Sequence, residues 1–229
     1  MRASALIPAF NEAENVGSVL IGLRRSCPDL PVLVVDDGST DGTAEVAMEW
    51  GAQVLRTRRG GYARALRSGY QHLLTQGVER VVQLDADGQH PPEEVPRMLE
   101  ELGGVNWVIG SRENTASPAP WARRAGNAAL AQVVKAVTSV PLKDVTSGFW
   151  ALDRKALGFF AEEFPGDVAD ANIRILGLRG GLEVREISVE MGIRIEGDSM
   201  HGGLSGLTNL GRSVWAICRE SRWKTRRQA

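Results

Sequence analysis

Val32-Leu33-Val34-Val35-Asp36-Asp37-Gly38-Ser39-Thr40-Asp41-Gly42-Thr43 holds a strand, a turn and a helix start within twelve residues. Four apolar residues in a row, three of them β-branched, read as a strand buried on both faces, as parallel sheets require. The run stops at two carboxylates and a glycine. Ser39, Thr40 and Asp41 then offer side-chain oxygens for the unsatisfied N–H groups that open a helix. Ala44, Val46 and Ala47 continue that helix. A strand that turns directly into a helix is half of a βαβ unit, so an α/β fold is predicted.

The same grammar repeats on both sides. Ala3 to Ile7 reads as a buried strand ended by Pro8. Asn11 with Glu14 reads as a capping box, Asn replacing Ser or Thr, before a helical face of Val16, Val19, Leu20 and Leu23. Arg24 and Arg25 stand where a helix C-terminus favours cations. Downstream, Gln53 to Arg56 is a short strand. Gly60-Gly61 opens a helix carrying Leu66, Tyr70, Leu73 and Leu74. Val81 to Leu84 is a fourth strand and Trp107 to Ile109 a fifth. The expectation is a mostly parallel central sheet flanked by helices, with a Rossmann-like N-terminal half.

After residue 112 the pattern changes. A Pro/Ser/Ala loop covers 114–120, a helix runs from about Trp121 to Val137, and Ser147 to Leu152 and Glu183 to Arg194 read as strands. No repeat or linker divides the chain. Within 1–203 the reading separates a nucleotide-binding part, 1–112, from an acceptor-side part, 113–203. A basic amphipathic helix and tail follow at 204–229. There, Arg212, Arg219, Arg222, Lys224, Arg226 and Arg227 face one acid, Glu220, beside the stripe Leu207, Leu210, Val214 and Ile217. Such a helix suits an anionic membrane surface; it equally suits a last helix packed on its own domain.

Composition narrows the function. At 229 residues the chain can bury a substantial core. A formal net charge of −1 gives no basis for nucleic-acid binding. Cys27 and Cys218 build neither a disulfide framework nor a zinc site, which suits a reducing, cytoplasmic compartment. The apolar stretch Ala3 to Phe10 is short and broken by Pro8, unlike a signal peptide. No window is apolar for the ~18 residues a span needs, so membrane contact would be peripheral.

Chemistry concentrates at strand ends. Leu84-Asp85-Ala86-Asp87-Gly88-Gln89 places two carboxylates two residues apart; in an extended segment both point the same way. Open α/β sheets bind ligands at the carboxyl ends of their strands. Two acids there suit a hard cation that keeps positions open for phosphate oxygens. They also read, more plainly, as solvated acids. Of Asp36 and Asp37, one reads as a helix cap and the other as a crevice acid without a structural task. Pro8-Ala9-Phe10-Asn11-Glu12 is a third such turn on the same edge. His90 reads as a turn residue before Pro91-Pro92 rather than a metal ligand.

The stretches 8–12, 35–43 and 84–93, with Gly110-Ser111-Arg112, Asp144 to Phe149 and Arg194 to Ser199, resemble the family 2 glycosyltransferases of GT-A fold. Within them the chain resembles the dolichol-phosphate mannosyltransferase branch, over roughly residues 3–203. The resemblance implies inverting sugar transfer from a UDP- or GDP-sugar, at Mg2+ or Mn2+, to a polyprenyl phosphate. It implies that Pro8, Phe10, Glu12, Val35 and Asp37 line the nucleotide pocket and that Asp85 and Ala86 contact ribose or sugar. Asp87 and Gln89 would ligate the metal, Arg112 would steady donor phosphates or acceptor, and Arg194 would close over the diphosphate. Asp167 and Asp170 lie where hydroxyl-modifying relatives place a general base; a lipid phosphate needs none. Where some polyprenyl-phosphate mannosyltransferases carry a lysine, this chain has Met200, followed by His201. A hydroxyl acceptor and a non-catalytic sugar-nucleotide binder are the alternatives.

Overall fold

In a computed structural model, residues 2–112, 121–164 and 171–192 are described. Seven strands form one sheet in the order β3-β2-β1-β4-β6-β5-β7. They are β1 Ala3–Ala9, β2 Val32–Asp36, β3 Gln53–Arg56, β4 Arg80–Gln83, β5 Trp107–Ser111, β6 Trp150–Asp153 and β7 Val184–Ser188. Neighbours run parallel except at β6, which is antiparallel to both β4 and β5. An antiparallel strand begins where its neighbours end. The loop before β6 therefore reaches the same sheet edge as the carboxyl ends of β1, β2, β4 and β5.

Helices α1 Ala13–Ser26, α2 Thr43–Glu49, α3 Tyr62–Thr75, α4 Val95–Glu100, α5 Trp121–Thr138, α6 Arg154–Glu163 and α7 Ala171–Arg179 cover the sheet. Alternate side chains of each strand feed two cores. Leu6, Val35, Val81, Trp107 and Trp150 pack with α3, α5, α6 and α7. Ala5, Ile7, Val34, Val82 and Ala151 pack with α1, α2 and α4. Gly69 on α3 gives way to Leu6 and Val35, where a Cβ would lie 2.5 Å from Leu6 Cδ1.

Two expectations require correction. The Asn11–Glu14 capping box does not form: Glu12 is the N-cap and makes no side-chain cap bond. Asn11 instead sits at φ 53°, and the α1 entrance is held from the β2–α2 turn. Asn11, Glu12 and Ala13 donate their backbone N–H groups to Ser39 Oγ, Thr43 Oγ1 and Asp41 Oδ2 at 3.0, 2.9 and 3.0 Å. The final strand is also shorter, ending at Ser188, with Arg194 outside the described residues. The 121–137 helix is present as α5, and the 204–229 segment lies outside the described residues. Among the described residues, no helix is long and apolar enough to cross a membrane.

Candidate active site

Three turns converge on one edge because β1, β2 and β4 are adjacent and parallel. Pro8 lies opposite Val35 and Ala9 opposite Asp36. Pro8 and Val35 are buried in the sheet, so they can offer a ligand little beyond backbone. Phe10 and Glu12 project further, both half-buried. Glu12 Oε2 accepts from Asn15 Nδ2 at 2.6 Å.

Both acids of the β2 turn have structural tasks, contrary to the expectation that one would be spare. Asp36 Oδ1 accepts from Ser39 N–H at 2.9 Å, tightening the turn. Asp37 is 3% exposed and holds the β3–α3 loop. It accepts the N–H groups of Gly60 and Gly61 at 2.8 and 2.7 Å and the Thr57 hydroxyl at 3.3 Å. Arg59 Nη1 lies 3.4 Å from Asp37 Oδ2, and its guanidinium carbon lies 3.1 Å over the Phe10 ring centroid. No motif in the sequence marks Arg59.

The Asp85-Ala86-Asp87 segment is not an extended strand. β4 stops at Gln83, and Gly88 at φ 78° completes a turn, so alternation is not what orients the carboxylates. Asp87 Oδ1 accepts from Gln89 N–H at 3.0 Å. Ala86 is buried. Asp85 N–H donates to His90 Nδ1 at 2.8 Å, which leaves the other ring nitrogen, 3.6 Å from Asp85 Oδ2, to carry the proton. His90 is buried and stacked on Phe149 with centroids 5.1 Å apart. Burial pushes its pKa down, against the pull of Asp85 and Asp87. It is the turn residue expected, and it also builds the turn from inside.

A chain of polar groups, buried at Tyr70 and Gln83 and half-buried at Tyr62, supports Asp85 from below. Tyr70 donates to Gln83 Oε1. Gln83 Nε2 donates to Tyr62 Oη at 3.0 Å and to Gly148 O at 2.8 Å. Tyr62 in turn donates to Asp85 Oδ1 at 2.9 Å. Burial, with the Asp85 charge, lifts the Tyr62 hydroxyl well above its ordinary value, so it remains a donor. Gly148 leaves space at this point: a Cβ there would stand 2.9 Å from Tyr62 Oη and 3.1 Å from Asp85 Oδ2.

Arg112 follows β5 and binds the loop before β6. Its Nε donates to Asp144 Oδ2 at 2.8 Å and its Nη2 to Thr146 Oγ1 at 3.3 Å. Burial alone would raise the Asp144 pKa, but Arg112 and the Thr146 hydrogen bonds hold it below its ordinary value. Glu186 of β7 anchors the same loop, accepting from Lys143 and Asp144 N–H at 2.8 and 2.7 Å. Beyond β7, Gly192 N–H donates to Gln89 O at 2.8 Å. The chain is thus pinned at the Asp87 turn two residues before Arg194. Arg194, Asp167, Asp170, Met200 and His201 lie outside the described residues.

Among the described residues, no three His, Cys, Asp or Glu side chains form a metal-holding group. The Asp87 turn offers instead one or two carboxylates and an amide. That donor set suits a hard cation completed by phosphate oxygens rather than a closed protein cage.

The model of the family described as "Glycosyl transferase family 2" matches residues 4–159. Undecaprenyl-phosphate mannosyltransferase of Micrococcus luteus is 30% identical over 98% of this chain and 97% of its own. Polyprenol monophosphomannose synthase of Mycolicibacterium smegmatis is 33% identical over 68% of this chain and 63% of its own. Among solved structures, glucosyl-3-phosphoglycerate synthase of Mycobacterium tuberculosis, crystallised with Mn2+, UDP and glucosyl-3-phosphoglycerate, superposes with a TM-score of 0.69 at 22% identity. That match covers 96% of this chain and 79% of the other. The sheet order, the three converging turns and a match over most of the chain lead to one assignment: this protein is an enzyme of glycosyl transferase family 2, with the GT-A fold.

Proposed function

We propose that the protein transfers a glycosyl group, with inversion, from a UDP- or GDP-sugar to a polyprenyl phosphate, and that it works at the cytoplasmic face of a membrane that it contacts peripherally. The near full-length match to an undecaprenyl-phosphate mannosyltransferase carries this reading. The donor lies across the carboxyl ends of β1, β2 and β4, its base toward Phe10 and Asp37 and its diphosphate toward Asp87. Asp87 and Gln89 would hold Mg2+ or Mn2+, which would supply positive charge against the leaving diphosphate.

The chain's own residues supply position and a fixed field. Asp85, held by Tyr62 and by the His90-anchored backbone, contacts ribose or sugar. Arg112, oriented by Asp144 and Thr146, faces donor phosphate or acceptor. Arg194 closes over the diphosphate, where a planar guanidinium matches phosphate oxygens. The acceptor is already an anion, so it attacks the opposite face of the anomeric carbon without a base.

A thermal-shift screen of UDP-, GDP- and dTDP-sugars with and without Mn2+ identifies the donor, since a ligand of the native state raises Tm by mass action. Transfer of label from that donor to polyprenyl phosphate in detergent then tests the acceptor. Asp167→Asn and Asp170→Asn should leave this transfer intact. A collapse in either, with donor binding retained, would move the acceptor to a hydroxyl.

A further inference from the structure

Arg59 sits in a built position on the donor side of the site. Gly38, at φ 78°, lets the loop approach: a Cβ there would stand 2.9 Å from Arg59 N. Asp37 fixes the following two residues through the N–H groups of Gly60 and Gly61. The side chain then lies with its guanidinium carbon 3.1 Å over the Phe10 centroid and Nη1 3.4 Å from Asp37 Oδ2. At 3.1 Å nothing else can enter between guanidinium and ring.

The two groups that Arg59 covers are those assigned above to the nucleobase. A planar base would offer Phe10 a π-face to stack on. Uracil or guanine would also offer the carboxylate a ring N–H. Arg59 offers the same pair of contacts, a flat cation on the ring and an N–H toward Asp37. Three of Asp37's partners, Gly60 N–H, Gly61 N–H and the Thr57 hydroxyl, belong to the loop that it shapes. Arg59 is the partner that can leave, because its side chain is 51% exposed and its two contacts are of surface strength.

We infer that Arg59 is a stand-in for the donor's nucleobase: it occupies the Phe10 face and the Asp37 acceptor in the free enzyme and swings out when a uridine or guanosine diphosphate binds. This rests on the donor-site reading above. It makes Arg59 a residue that lowers donor affinity and restricts entry to ligands able to replace both of its contacts. Cytosine, whose ring N3 is an acceptor, would offer the carboxylate only its exocyclic amine and so should displace Arg59 less well.

Calorimetric titration of the full chain with UDP, GDP and CDP in Mn2+ tests the inference. Arg59→Ala should tighten the preferred diphosphate about three- to thirtyfold, the combined strength of an exposed cation–π contact and a surface ion pair. Phe10→Ala should weaken binding, and adding Arg59→Ala to it should recover much less than in the parent, because the arginine's main contact is already gone. Unchanged or weaker binding in Arg59→Ala, with wild type still binding UDP or GDP, would overturn the stand-in and leave the donor site standing. Failure of every variant and of wild type to bind either diphosphate would remove the donor site itself and the inference with it.

Discussion

Replacing His90 with alanine removes the acceptor of Asp85 N–H and the ring stacked on Phe149. An unmet buried N–H and a lost aromatic contact together cost about 2–4 kcal/mol. The loss falls on the turn that carries Asp87, so Mn2+-dependent donor binding should weaken along with the melting temperature. Titration of Mn2+ with donor, beside thermal unfolding, checks both. Gly148→Ala tests the opposite error, overpacking. Its methyl would press on Tyr62 Oη and Asp85 Oδ2, for about 1–3 kcal/mol. Donor affinity should fall while the buried Tyr70–Gln83 contact survives, and a variant with wild-type affinity would show that Asp85 does not touch the donor. These residues show how sequence legibility divides. Asp85 and Asp87 are candidates from the motif alone, since the extended spacing expected of them is a turn in the fold, whereas Tyr62, Gly148 and Arg59 join the candidate site only through contacts with segments far away in the chain.

At the level of elements, the β2–α2 turn is a shared fastening. Asp41 accepts from Ala13 N–H with one oxygen and from Thr43 N–H and hydroxyl with the other. Asp41→Ala therefore frays the starts of α1 and α2 together. About 1–2 kcal/mol is expected, the usual range for losing a cap, and hydrogen exchange should accelerate at both helix starts rather than one. This fastening explains why the capping box fails: local pairing of Asn11 with Glu14 loses to groups supplied by another turn. Strands β1 and β2 are legible from their apolar runs, helices α1 and α3 from an apolar face at helical spacing, and β4 only from the short pair Val81-Val82. Helix α4 hides behind Pro91-Pro92 and Pro96. Helix α7 is buried from Ala171 to Gly177, so it has no polar face to reveal a period. Helix α6 does carry a helical spacing, at Ala156, Leu157, Phe160 and Ala161, which the sequence reading passes over.

Across the whole molecule, acid should loosen the loops around the site first. Asp144 and Asp41 both have pKa values lowered in the fold, each despite burial that works the other way. The folded state then binds fewer protons than the unfolded chain near the carboxylate range. Their stabilisation is complete above about pH 4 and drains as pH falls through the lowered folded values. Asp144→Asn removes one such group and strands Arg112, at a cost of about 1–3 kcal/mol at neutral pH. Its stability curve below about pH 4 should be flatter than the wild type's, as urea unfolding across pH would show. Asp87→Asn keeps an oxygen for Gln89 N–H, so the variant should still fold, while the Mn2+-dependent Tm shift with donor disappears. A retained shift would place the ion elsewhere.

The reversed strand β6 has a consequence for synthesis. β4 and β5 do not pair with each other; β6 is inserted between them and bonds to both. A nascent chain that has emerged only as far as Arg112 therefore carries two apolar strands whose facing edges have no partner until Trp150 to Asp153 arrive. Such open edges are where chains stick to one another. Ribosomal pausing before residue 153 should make this protein depend on chaperones, and overproduction that outruns them should send it into inclusion bodies.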